Sequence, residues 1–230
     1  MSTSGTTVFD LDLAQLCEEA FERAGGEMRS GYDLRTARRS LNLMFADWAN
    51  RGLNMWTFEQ AEITLLEDTP NYTLPADTVD VLEAVLRTGS GSTERDTPLG
   101  RTSLVNYTAL ANKSAGGRPT LMVMERFITP RLTIWPVPDA TVAADYTLVY
   151  WRLRRIQDAG NGSNTMDVPF RFVPAMVAGL AYYLITKRPG PLDVERVQLL
   201  KQQYDEAWAN AETEDRDKST LRLVPRRGRV

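Results

Sequence analysis

Histidine is missing from all 230 residues. It is the usual general base near neutral pH and the commonest metal ligand, so Ser-His and Cys-His nucleophilic sites and His-bound metals are excluded. Cysteine occurs once, as Cys17. One thiol cannot close an internal disulfide, and Cys17 falls on a helical apolar stripe, so it reads as a core side chain rather than a nucleophile. No apolar run reaches the ~20 residues of a membrane span, and Met1-Ser-Thr-Ser-Gly-Thr-Thr7 has neither the basic nor the apolar region of a signal peptide. The expectation is a product made in the cytoplasm with no membrane anchor. A basic excess is lacking too: 27 Lys plus Arg against 30 Asp plus Glu leave a net charge of -3, unlike a general nucleic-acid binder. There is no phosphate-cradling glycine motif, metal-ligand spacing or nucleophile elbow, and Gly89-Ser-Gly91 and Gly116-Gly117 read as turns. Carboxylate or lysine chemistry would need a convergent cluster, and none stands out. No catalytic, cofactor-binding or metal-binding residue is assigned, no cofactor is expected, and the chain reads as a non-enzyme.

What is present is ordinary in bulk, with 43% hydrophobic and 25% charged residues, enough for one large domain or two modest ones. The organising stretch is Val168 to Ala211. Pro174 to Thr186 is apolar nearly all round and predicts a helix buried on most sides. Pro189-Gly-Pro191 breaks it, Asp193 offers an N-cap, and Val197, Leu200, Tyr204, Trp208 and Ala211 form the stripe of a second helix. The other wall of this bundle is expected from the N-terminus. There Leu13, Leu16, Cys17, Ala20, Phe21 and Ala24 share one helical face closed by Gly25-Gly26. Asp33 then reads as the cap of a helix with Leu34, Ala37, Leu41, Met44, Phe45 and Trp48 on its stripe. Arg35, Arg38 and Arg39 lie largely off it, as a solvated face.

From Trp56 the period changes to that of strands. Strands are expected at Trp56 to Leu66, Tyr72 to Leu74, Thr120 to Ile128, Arg131 to Trp135 and Tyr146 to Leu153. Val79 to Leu86, apolar on both faces, reads as a buried central strand. Ser103 predicts a cap for a short helix at Leu104 to Leu110, and Ala115 to Pro119 a loop. Trp135-Pro-Val-Pro138 reads as the end of an edge strand. The fold class is therefore α+β: a discontinuous helical bundle, 10–52 plus 168–213, with an inserted, mainly antiparallel β domain at 54–156. The segment 157–167 reads as a flexible loop, since Gln157 to Thr165 shows no apolar anchor. Residues 214–230 read as a C-terminal arm, all polar at first and then basic, which cannot pack a core of its own. It is either a solvated end or an arm that orders on a partner through Leu221, Leu223 and Val224 beside Arg226, Arg227 and Arg229.

Several segments carry a resemblance. Leu41-Asn-Leu-Met-Phe-Ala-Asp-Trp-Ala-Asn-Arg-Gly-Leu-Asn-Met-Trp56, Tyr72-Thr-Leu-Pro-Ala-Asp77 and Val81-Leu-Glu-Ala-Val85 come first. Gly117-Arg-Pro119, Leu132 to Asp139, Tyr150 to Ile156, Pro169-Phe-Arg171 and Gly179-Leu-Ala-Tyr-Tyr183 follow in order. Over most of residues 33 to 212 the chain resembles the head-to-tail adaptor (connector) proteins of tailed bacteriophages, in particular those with short tails. These are structural signatures, not catalytic ones.

The resemblance implies a virion structural protein at the head-tail junction, assembled as a ring of twelve copies beneath the portal protein after DNA packaging. Such a ring extends the DNA channel and gives tail or nozzle proteins a platform, while packaged DNA passes without sequence-specific binding. It also favours the arm reading of Leu221 to Val230, docked on the portal. Arg152, Arg154 and Arg155 flank a strand exit and are expected to make intersubunit salt bridges rather than channel contacts with DNA. Within structural proteins, another connector layer such as a head-completion or tail-terminator ring is the competing expectation. A carboxylate-based cell-wall hydrolase, with two carboxylates about 5 to 9 Å apart across a cleft, and a DNA-binding module stand behind it.

Overall fold

A computed structural model describes residues 5, 9–51, 55–161, 163–187 and 193–215. In chain order the helices are α1 (Leu13–Arg23), α2 (Gly31–Arg51), α3 (Leu104–Thr108), α4 (Ala140–Asp145), α5 (Val173–Ile185) and α6 (Val194–Glu214). The strands are β1 (Phe58–Thr64), β2 (Asn71–Thr73), β3 (Thr78–Thr88), β4 (Arg95–Pro98), β5 (Gly100–Arg101), β6 (Leu121–Glu125), β7 (Arg131–Trp135) and β8 (Tyr146–Arg154). The fold is α+β and resolves into two units. One takes the chain up to Asp47 and from Asp158 onward; the other runs from Trp48 to Gln157.

In the first unit local chemistry sets the helix ends. The Asp12 carboxylate accepts the Gln15 N–H at 2.8 Å while the Gln15 side chain accepts from the Asp12 N–H, a reciprocal capping box. At the other end of α1, the Gly26 N–H reaches the Phe21 carbonyl and the Gly25 N–H that of Glu22, with Gly25 at φ 78°. A left-handed residue there suits glycine. For α2 the expected cap shifts. Ser30 holds the N-cap place and Asp33 is the third helical residue, its carboxylate reaching back to the N–H groups of Arg29 and Ser30, each at 3.1 Å. Asp33 falls three residues past the cap, and its side chain serves the donors that precede the helix.

The apolar stripes are buried as the periodicity predicts: Leu13, Leu16, Cys17 and Ala20 in α1, and Ala37, Leu41 and Met44 in α2, are fully inaccessible. Helix α5 is buried from Ala175 to Ala181 and again at Leu184 and Ile185, and it packs against α1 and α6. Each large apolar side chain so buried contributes ~1.5–3 kcal/mol. Helix α6 starts on Asp193, whose carboxylate takes the Arg196 N–H at 3.1 Å, and buries Leu200, Tyr204, Trp208 and Ala211. The segment before α5 has the apolar anchor that its composition does not suggest. Ala159 is fully buried with its N–H on Asn42 Oδ1 at 2.9 Å, Asn161 Oδ1 accepts from Arg38, and Thr165 bridges to Asp12.

The second unit holds two four-stranded sheets, in the orders β1-β8-β3-β4 and β2-β7-β6-β5. Their pairings are antiparallel except β5 with β6, where Gly100 and Arg101 run parallel to Leu121 and Met122. Val81, Ala84, Leu86, Leu148 and Tyr150 of the first sheet share one core with Tyr72, Met122, Leu132 and Ile134 of the second. The expected central strand is β3, paired on both sides. Strands β4 and β5 lie where no strand was expected, and other details differ from the sequence reading. Residues 55–57 form a 3-10 turn before β1, and residues 126–130 form a turn where a continuing strand was expected. Residues 140–145 are helical, capped by Asp139. Strand β7 is internal rather than an edge, because β2 covers Arg131 to Thr133, and the prolines come after that cover ends.

Candidate assembly surfaces

In the second unit, Arg152 on β8 sits between β1 and β3 with only 7% of its surface exposed. One terminal nitrogen donates to Glu59 at 2.6 Å, the other to Asp77 at 2.6 Å and to the Thr78 hydroxyl at 2.9 Å. Burial pulls its pKa down, the two carboxylates pull it up, and the carboxylates prevail. Arg152, expected in an intersubunit or channel role, has both terminal nitrogens engaged inside its own subunit. Arg154 is half-buried and donates to the Arg155 carbonyl; Arg155 is exposed, with its N–H on the Asp77 carbonyl. The three do not converge on one site.

The end of the second sheet carries a cluster that sequence reasoning missed. The nearly buried Asp80 carboxylate is clamped by Arg101, at 2.9 Å, and by Arg126, and Arg101 also donates to the Val81 carbonyl. Beside it Glu125 takes Arg131 and the Thr133 hydroxyl, and Arg131 lies 5.5 Å over the Phe127 ring. Because β5 runs parallel to β6, α3 and the β6-β7 turn leave the sheet at the same end. There Leu104 and Val105 are 51% and 76% exposed, and Phe127 and Ile128 60% and 96%. Large apolar side chains left this open are the mark of a contact surface.

In the first unit, Phe9 meets Phe170 edge-on at 6.2 Å beside a groove of about 450 Å³. The groove runs between α1 and the start of α5 and is lined by Leu11, Glu18, Glu22, Val173 and Val177. Next to it Arg171 pairs with Asp215, the last described residue. Leu221, Leu223, Val224, Arg226, Arg227 and Arg229, the expected portal arm, lie outside the described residues. Among the described residues no group of three carboxylate or thiol side chains is placed to hold a metal, and no helix is long and apolar enough to cross a membrane.

The model of the SU10 adaptor protein family matches residues 11–227. This chain belongs to that family. The match takes in both units, and the membership points to a structural, head-tail connector type of protein rather than an enzyme. Among curated proteins nothing matches. Seventeen chains of solved structures do, among them one described as the neck of an empty GTA particle, computed with C6 symmetry. It is 12% identical, with 97% of this chain and all of that one covered, at a TM-score of 0.27, a likeness too loose to carry an argument.

Proposed function

We propose that this family member is a virion protein of the head-tail junction, which forms a ring of twelve copies joining the portal to the tail and extending the DNA channel after packaging. The observation that carries this reading is the family match across residues 11–227, which takes in both units. The exposed Phe127, Ile128, Leu104 and Val105 support assembly, because an isolated subunit makes no use of them. In a closed ring each subunit meets its neighbours through two unlike patches, and modest contacts gain strength by repetition. An acidic subunit suits a conduit, since lysine-rich and arginine-rich walls would retain DNA by their phosphate contacts. Leu221 to Val230 serve as the arm that docks on the portal, and the exposed Arg155 faces a neighbour or the channel wall.

Light scattering tests this reading. The purified protein is measured alone and then mixed with the portal of the same virus. A mass that rises to that of a portal-bound ring supports the proposal, and a mass indifferent to portal contradicts it. If binding instead requires a different neighbour, such as a tail-tube protein, the chain belongs to another connector layer.

A further inference from the structure

Asp215 closes α6, and its carboxylate, 5% exposed, is held by the Arg171 guanidinium. Arg171 stands in the chain between Phe170, which packs edge-on against Phe9, and Val173, which lines the groove beside α1. The exit point of the C-terminal segment is therefore pinned next to that groove. The groove has a definite chemistry. Of its apolar lining Val177 is buried, Leu11 and Val173 are half-buried, and Phe9 is 61% exposed. Along α1 it carries Glu18, Glu19 and Glu22 against a single base, Arg23, which is paired with Glu19 at 2.8 Å. An occupant must bring apolar side chains and positive charge together.

The segment that leaves Asp215 has this composition. Leu221, Leu223 and Val224 precede Arg226, Arg227 and Arg229, Arg222 lies among them, and no acid occurs from Ser219 to Val230. The five residues 216–220 give ~17 Å of lead at about 3.4 Å each, enough to reach a groove that begins beside Arg171. We propose that Leu221 to Val224 pack into the groove of their own subunit, with the arginines that follow set against the Glu18 and Glu22 wall. The tether supports the same subunit over a second copy, because a short linker holds its end at an effective concentration of order millimolar. This latch concerns the free subunit and stands whether or not the arm later reaches a portal. Where the portal reading also holds, the portal competes with the groove for the arm.

Amide hydrogen exchange on the full-length protein, alone in low salt, tests the latch. The amides of Leu221 to Val224 should exchange about tenfold more slowly than in a free peptide of the same sequence. Glu18→Lys with Glu22→Lys, or Leu223→Asp alone, should remove that protection while the amides of α5 keep theirs, which shows the fold intact. Added salt should weaken it through screening. Exchange at the free-peptide rate in the unaltered protein overturns the proposal. Protection unmoved by the groove variants overturns it too, as does protection that grows with protein concentration, which would mean docking between copies. No portal is present in the experiment, so failure to bind portal with protection intact would count against the portal reading only.

Discussion

Gly179 on α5 lies so close to Met44 on α2 that a Cβ added there would stand 2.5 Å from the Met44 sulfur. The Tyr204 ring closes the same space from α6, at 2.8 Å. Three helices therefore meet where one residue has no side chain. Gly179→Ala would gain ~1 kcal/mol of helix propensity but must displace a ring as well as a flexible thioether. We expect a net loss of about 1–2 kcal/mol, read as a lower urea midpoint with an unchanged slope.

Arg152 bridges β1 and the start of β3, and its Nε is buried without a partner among the described residues. Removing it leaves Glu59 and Asp77, each nearly half exposed, so water can recover part of their solvation. Arg152→Ala should cost about 1–3 kcal/mol, less than for a fully buried pair. Arg152→Lys should recover little, because one ammonium cannot span both carboxylates. Thermal unfolding of the two variants checks the order.

Cys17 is fully inaccessible, and burial, with Glu18 and Asp12 nearby, pushes its thiol up to about 12. The thiolate is the reactive form. At pH 8 the folded protein should react with a thiol reagent far more slowly than the urea-unfolded chain. Rapid labelling of the folded form would mean that α1 opens locally.

The Arg29 N–H, then the Ser30 hydroxyl and N–H, and the charge of Arg29 hold the Asp33 carboxyl below its ordinary value near 3.8. A depressed folded pKa means that the stability it contributes is complete above the unfolded value and is lost as pH falls through the folded one. Protection of the first α2 amides, relative to their intrinsic exchange rates, should therefore fall as pH drops below 4. In Asp33→Asn that pH-dependent loss should vanish.

Local signals made the helical unit legible. The Asp193 cap, the Gly25-Gly26 stop and the apolar α5 lie within a few residues of the structure they specify. Asp139 before α4 is the same kind of signal, overshadowed by the neighbouring prolines. What sequence could not supply depends on distant partners. Arg152 finds Glu59 and Asp77 at separations of 93 and 75 residues, Asp80 finds Arg126 46 residues away, and β5 gains its parallel neighbour only through the folding of the sheet. The groove likewise needs Leu11 and Val173 together, from distant parts of the chain, and neither lies on a stripe that periodicity selects.

A ring at the head-tail junction would be visible directly on imaging that junction in the virion that carries this protein. The expected image is a twelvefold layer directly beneath the portal, into which the α1, α2, α5 and α6 bundle fits and through which a continuous DNA channel runs. A junction resolved to the same detail with no density for this chain would contradict it.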